Sequence, residues 1–373
     1  MQRRSAAFIV LTLCLSAIPV FSQVPTPGTL KDTFQNAFLV GAAMNTSQIT
    51  GSDKQGDTLI NQQFNSISPE NVMKWEVIHP RADAYNFTLA DQYVEFGVTH
   101  HMFIVGHTLC WHSQTPAWVC KDDKGNPLTR EALLQRLDDH IQTVVGRYNG
   151  KIGSWDVVNE ALNEDGTLRQ SQWEKIIGDD YIIKAFQFAH EADPRVQLTY
   201  NDYNLENPAK RKGALELVKR LKAAGVPIAI VGNQAHLHLD SPSVQDEEAT
   251  ISDLAAAGVK VAITELDIDV LPSAGGHSAD VSLNIQQNPK LNPYPHALPD
   301  DVQQALAKRY ADLFAVFWKH RDVITRVTFW GVTDRDLWLN NWPVRGRASY
   351  PLLHDRDGKP KPAFLAVLKT AGN

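Results

Sequence analysis

Cysteine is scarce in this chain, with three among 373 residues. Cys14 lies inside an N-terminal apolar run, which leaves Cys110 and Cys120. Neither has the spacing of a metal site. An exported protein could pair them, but Cys110 sits in a strand-like stretch among bulky residues, so unpaired, packed thiols are expected. The chain also lacks a basic block. Its net charge of −6 is spread along the length, which argues against a nucleic-acid or anionic-membrane partner. No Gly-rich phosphate loop follows the first apolar run, which disfavours a doubly wound nucleotide-binding sheet. No linker, internal repeat or low-complexity tail breaks the chain, so one domain is expected over 28–373. The apolar run from Ala6 to Val20 is too short to span a bilayer comfortably. Arg3 and Arg4 precede it, and Val20-Phe21-Ser22 resembles a small-residue cleavage site. Residues 1–22 therefore read as a removed export signal, and the protein as extracellular or periplasmic. Cys14 has no small residue directly before it, which argues against a lipoprotein.

What is present suits a large globular core, with 43% hydrophobic and 21% charged residues. The nine tryptophans raise the prospect of flat apolar platforms for ring-shaped ligands. From Phe38 onward short apolar runs alternate with amphipathic helical segments. The runs fall at 38–43, 63–68, 102–110, 152–158, 196–201, 228–237, 259–268 and 325–332. Between them Leu133, Leu134, Leu137, Ile141, Val144 and Val145 keep the three-and-four spacing of a one-sided helix over 131–148. A second helix starts at the Asn207-Pro208 cap and stops at Gly225. A third, over 302–318, carries Val302, Leu306, Tyr310, Leu313, Phe314 and Phe317. Eight β-then-α units favour a closed (β/α)8 barrel over an open sheet. The Pro/Gly-containing stretch 271–300 then becomes a long loop on the face where barrel sites form.

In that frame the polar residues gather where chemistry is expected. IGSWDVVNEAL, at 152–162, ends its run in Asn159 and Glu160; VKVAITELDI, at 259–268, presents Glu265, with Asp267 on the same face of the strand. Glu70, Asn71 and Lys74 follow the second run, and His107 and Trp111 end the third. Asn201, Asp202, Tyr203 and Asn204 end the fifth, Gln234 and His236 the sixth, and Trp330 and Trp338 lie at and beyond the eighth. Carboxylates, amides, imidazoles and indoles without a metal or phosphate motif suit a neutral polyhydroxyl substrate. Plainer readings stand beside this one. A lone strand-end glutamate is usually solvated or ion-paired, and Lys74 could be a surface residue. Trp75, Trp155 and Trp173 read as core. His236 and His238 could be zinc ligands, but no third ligand completes a metal pattern.

The segments SPENVMKWE, GHTLCWHSQTPAW, WDVVNEAL, NDYN, QAHL, ITELDI and TFWGVTD, in this order, resemble the family 10 glycoside hydrolases, the retaining endo-β-1,4-xylanases. The resemblance spans about 30–370 and implies a (β/α)8 barrel needing no cofactor. It implies Glu160 as acid/base, Glu265 as nucleophile, His236 and Asp267 as a relay orienting Glu265, and Asn159 as the contact to the sugar 2-hydroxyl. Glu70, Asn71, Lys74, His107, Trp111, Gln234, Trp330 and Trp338 would line the non-reducing side, with Tyr203 toward the leaving group. It marks His107-Thr108 as a candidate cis peptide bond. Cys110 and Leu337 depart from the family's usual aliphatic residue and serine. No separate sugar-binding module is expected. The implied partners are xylan and xylo-oligosaccharides, with no membrane after leader removal and a monomeric state. Retention requires the two carboxyl groups about 5–5.5 Å apart. Two nearby carboxylates would not both ionise easily, so Glu160 should hold its proton near neutrality. The rivals are a barrel acting on cellulose or mannan, a polysaccharide-binding barrel without chemistry, and a transglycosylase built from the same residues.

Overall fold

The computed structural model describes residues 28–273 and 279–372, so the expected leader at 1–22 lies outside the described residues. Among the described residues nine strands run in chain order: β1 (Leu39–Met44), β2 (Ser66–Pro69), β3 (Phe103–Trp111), β4 (Ser154–Asn159), β5 (Gln197–Asp202), β6 (Ile228–Asn233), β7 (His236–His238), β8 (Lys260–Asp269) and β9 (Ile324–Phe329). All pair in parallel. The order is β6-β5-β4-β3-β2-β1-β9-β8-β7, and a β6–β8 pairing closes the ring. β7 follows β6 after Gln234 and Ala235, where Ala235 turns to φ 59°. The sixth expected run is thus one barrel strand broken in two, and the fold is the eight-stranded (β/α)8 barrel.

Each expected run holds a strand, with ends moved by a few residues. The start at 63 was too early because the helix Lys54–Gln63 extends to it and Phe64 caps that helix. Parallel strands covered on both faces read as continuous apolar runs, and β3 is buried from Ile104 to Trp111. The three expected helices form at Arg130–Arg147, Pro208–Ala223 and Asp300–Lys319. Thr129 and Asn207 cap the first two by accepting from the Ala132 and Ala209 amides. Gly225, at φ 72°, takes the left-handed turn after the second. Trp75, Trp155 and Trp173 are core, each at most 2% exposed. Cys110 and Cys120 are both buried, unpaired thiols. No helix among the described residues is long and apolar enough to cross a membrane.

Small residues line the barrel where strands approach closely. A Cβ on Gly41 would lie 3.1 Å from both the Ser66 carbonyl and the Thr328 hydroxyl. β9 and β4 are opposite in the ring, so the pair of Arg326 Nη2 with Asp156 Oδ1, at 3.7 Å, spans the interior. Register shifts occur at His107/Cys110 in the β3–β4 ladder and at Ile263/Leu266 in the β8–β9 ladder. Such bulges re-aim side chains, and both fall at the end of the barrel that carries the site.

Candidate active site

The C-terminal ends of the strands enclose a cavity of about 180 Å³. Its walls include Glu70, Asn71, Lys74, His107, Trp111, Asn159, Glu160, Gln234, His236, Glu265, Trp330 and Trp338. Every expected contact residue except Tyr203 therefore meets in one place. Tyr203 is 2% exposed and stands beside the cavity, with Arg169 donating to its hydroxyl at 2.8 Å. Asp267 lies behind His236, as a supporting group would.

Glu160 follows β4 with φ 58°, a left-handed conformation held by its amide donating to the Asn201 carbonyl at 2.9 Å. Its Oε2 accepts from Trp111 Nε1 at 2.8 Å, and its Oε1 from Gln234 Nε2 at 3.1 Å and Asn159 Nδ2 at 3.2 Å. Burial pushes the Glu160 carboxyl up to about 7, with the Asp202 charge second and Glu265 a lesser contributor. The direction agrees with expectation, but the principal cause does not. Desolvation outweighs carboxylate–carboxylate repulsion because the side chain is only 4–5% exposed.

Glu265 is just as buried, and burial alone would raise it. The bond from His236, the nearby His107 and the Asn201 amide overcome that, leaving it below the ordinary carboxylate value. Asn201 Nδ2 donates to Glu265 Oε1 at 2.7 Å, and His236 Nε2 lies 3.4 Å from Oε2. His236 Nδ1 meets Asp267 Oδ1 at 3.0 Å, and Trp338 Nε1 donates to Asp267 Oδ2 at 2.7 Å. Burial opposes a charged ring here, but Asp267 and Glu265 raise His236 to about 10. The ring is thus a cation that keeps Glu265 ionised. His236 is engaged by two carboxylates rather than by a zinc-like set, and the described residues include no group of three His, Cys, Asp or Glu placed to hold a metal ion.

These motifs agree with a broader likeness. The model of "Glycosyl hydrolase family 10" matches residues 29–370. The chain belongs to glycosyl hydrolase family 10. It is 46% identical over 360 residues to endo-1,4-beta-xylanase A of Xylanibacter ruminicola, covering 96% of this chain and 97% of that one. It is 41% identical to a beta-1,4-xylanase of Dictyoglomus thermophilum, covering 97% and 96%. Among solved structures, an endoxylanase of this family retrieved from sugarcane soil metagenome superposes with a TM-score of 0.89 at 48% identity, over 91% of this chain and 99% of that one.

In this family 10 site Lys74 is not a surface residue. It is 7% exposed and donates to Asn71 Oδ1 and Gln114 Oε1, each at 2.9 Å. Burial lowers its pKa against the pull of Glu265, Glu70, Glu160 and Glu76. Its ammonium lies 4.9 Å from the Trp111 ring centroid. Burial likewise raises Glu70, opposed by Lys74 and Asn71. His107 Nδ1 meets Asp156 Oδ2 at 2.9 Å, and its ring stands edge-on to Trp330 at 5.5 Å. The His107-Thr108 bond is cis.

Sequence reasoning missed several participants. Asn201 was noted only as a polar strand end, yet its amide touches Glu265 and also donates to Asn159 Oδ1 at 2.9 Å. Asp156 could have been found by stepping back in twos from Glu160 along β4. Gln114, Arg169 and His112 come from loops without periodicity. Arg169 Nε donates to the Glu160 carbonyl at 3.1 Å. His112 Nε2 lies 4.0 Å from Glu160 Oε2, and burial with the Arg169 charge lowers it to about 4.

Proposed function

We propose that this protein is an exported, retaining endo-1,4-β-xylanase, with residues 1–22 as a removed leader and 28–373 as the catalytic unit. The observation that carries the reading is the contrast between two buried carboxyl groups on one cavity. Glu160 is raised to about 7 and Glu265 is held below its ordinary value. Pairs whose environments push their pKa values apart mark acid and nucleophile. Glu160 protonates the departing glycosidic oxygen while Glu265 attacks the anomeric carbon, giving a covalent glycosyl-enzyme. Bonding to sugar removes the Glu265 charge, so Glu160 becomes more acidic and takes a proton from incoming water. Attack by water at the same carbon restores the original configuration and frees Glu265. The amide chain from Glu265 through Asn201 and Asn159 to Glu160 supports the short separation, about 5–5.5 Å, that this route needs.

Asn159 and His107 are placed to bond sugar hydroxyls, while Trp330 and Trp338 offer indole faces. The xylanases named above, with near full-length coverage, support xylan and xylo-oligosaccharides as substrates. The test has two parts. Release of reducing sugar should be faster from xylan than from cellulose or mannan, and NMR should show the β-anomer as the first-formed product. Faster cellulose cleavage would reject the substrate, and an α-anomer appearing first would reject the retaining route. Glu160→Gln should lower kcat on xylan about 10²–10⁴-fold, and Glu265→Ala should abolish glycosyl-enzyme formation seen by mass spectrometry with an activated fluoro-sugar.

A further inference from the structure

The helix Pro208–Ala223 sends one lysine inward. Lys210 has no exposed side-chain surface, and its ammonium lies 3.1 Å from Asp202 Oδ1 and 3.2 Å from Glu164 Oε1. It also sits 3.5 Å from the centroid of the Tyr203 ring. Asp202, at the end of β5, has no exposed side-chain surface either. Its Oδ2 accepts from the Tyr200 hydroxyl and from the Leu162 amide at 3.4 Å, and the Tyr203 amide donates to Oδ1 at 2.9 Å. The Tyr200 hydroxyl accepts from the Ala161 amide at 3.2 Å. Ala161, Leu162 and Glu164, which leave β4 after Glu160, are thus fastened to Tyr200, Asp202 and Lys210 in turn. Tyr181 and Tyr203 also face this cluster, but burial pushes both phenols up, so neither adds charge. Arg169 is engaged by the Tyr203 hydroxyl and by Asp280 at 3.4 Å, and His112, lowered to about 4, is neutral. That leaves Lys210 as the cation that meets Asp202.

A carboxylate enclosed this completely keeps its charge only with a counterion close by. Burial opposes the charge on Lys210, but Asp202, Tyr203 and Glu164 raise it, so it stays a cation. Asp202 is in turn the charge that most raises Glu160 after burial itself. We propose that Lys210 is a positioning residue for the general acid: by holding Asp202 as an anion it fixes the turn that carries Glu160 and keeps the proton on Glu160. This rests on the reading of Glu160 given above. Lys210 does not line the cavity and holds no reacting atom. Neutralising it lets a proton settle on Asp202, which removes the charge that favours protonated Glu160. The ammonium's own field on Glu160 acts in the opposite direction, so the sign of the change separates the two routes.

The test uses the full chain with Lys210→Gln, Lys210→Met and Lys210→Arg. It measures kcat/KM against pH on xylotetraose and on dinitrophenyl xylobioside, whose leaving group departs without a proton. In the glutamine and methionine variants the alkaline limb on xylotetraose should move down by roughly half a unit to one unit, about a three- to tenfold loss above the limb. The dinitrophenyl substrate should change by less than about twofold, since it needs no acid, and Lys210→Arg should keep the wild-type limb. Added to Asp202→Asn, Lys210→Gln should shift the limb no further, because the two residues act in series. Should the methionine variant not fold, the glutamine variant, which keeps a donor to Asp202, decides. A limb that stays or moves up in that variant, an equal loss on both substrates, or a further shift in the double variant overturns the role of Lys210 and leaves the xylanase reading intact. A wild type that fails to cleave xylotetraose, or cleaves it with no alkaline limb, overturns the reading of Glu160, and this role with it.

Discussion

Asn201 bonds Glu265 and Asn159 with one amide, and Asn159 bonds Glu160. Single side chains thus set the ionisation of their neighbours, and the pH profile should report it. In the proposed route Glu160 must carry its proton to act as the acid and Glu265 must carry none. Activity should fall as pH rises through about 7, the value to which burial and Asp202 raise it. Glu265 must be ionised, so activity should also fall as pH drops through its lowered value. Asp202→Asn removes a negative charge near Glu160, and Trp111→Phe removes a donor to its carboxylate. The alkaline limb of kcat/KM should move down in the first variant and up in the second, by up to about a unit each. Limbs that stay in place in both would show that Glu160 does not govern them. These residues were only partly legible beforehand. Glu160 and Glu265 end recognisable runs, whereas the weight of burial over charge repulsion depends on how the whole site is packed.

Two elements meet with no side chain between them where the loop after β4 touches the helix Pro208–Ala223. A Cβ on Gly213 would come within 2.3 Å of the Gly166 carbonyl oxygen, and Gly166 itself turns at φ 81°. Alanine usually stabilises an exposed helix position by up to ~1 kcal/mol over glycine. Here Gly213→Ala should instead lower stability, measured as a fall in the urea midpoint, because backbone cannot yield as a flexible side chain would. A midpoint that rises would mean that the loop gives way. The C-terminal segment offers a second case. His354 is 2% exposed and packs 5.0 Å from the Phe364 ring, and burial lowers it to about 4. Its neutral form is the folded one. Its contribution is full above about 6.5 and is lost as pH falls toward about 4. His354→Gln should flatten that acid loss by on the order of 3 kcal/mol, read from unfolding curves at pH 4 and pH 7. Curves that keep the wild-type slope would place the acid sensitivity elsewhere. Helix positions were readable from spacing and caps, but nothing local in the sequence announces that Gly166 and Gly213 touch.

Across the whole molecule, the barrel interior is bridged by a guanidinium. Arg326 is 1% exposed, and burial lowers its pKa against the opposing pull of Asp156. Asp156 in turn meets His107 beneath the cavity. Removing one partner leaves a buried charge uncompensated, which typically costs about 3–5 kcal/mol. Arg326→Ala should therefore lower the melting temperature substantially, and Asp156→Asn combined with Arg326→Met should recover much of it. Equal melting temperatures for the single variant and the wild type would show that water replaces the pair without cost. In the sequence Arg326 looks like a polar interruption of an apolar strand, because its partner lies on the opposite side of a ring that exists only after closure.

By itself the sequence determined the eight-unit alternation, the helix ends with their caps, and the two carboxylates with their flanking amides and indoles. Those depend on periodicity and on residue chemistry within a few positions of one another. Tertiary structure alone decided that twelve expected contact residues share one cavity and Tyr203 does not. It also decided that Glu160 is raised mainly by burial, that Lys74 is enclosed, and that Asp280 reaches Arg169. Desolvation and long-range pairing are properties of the surroundings a side chain acquires on folding, and adjacency in the chain does not encode them.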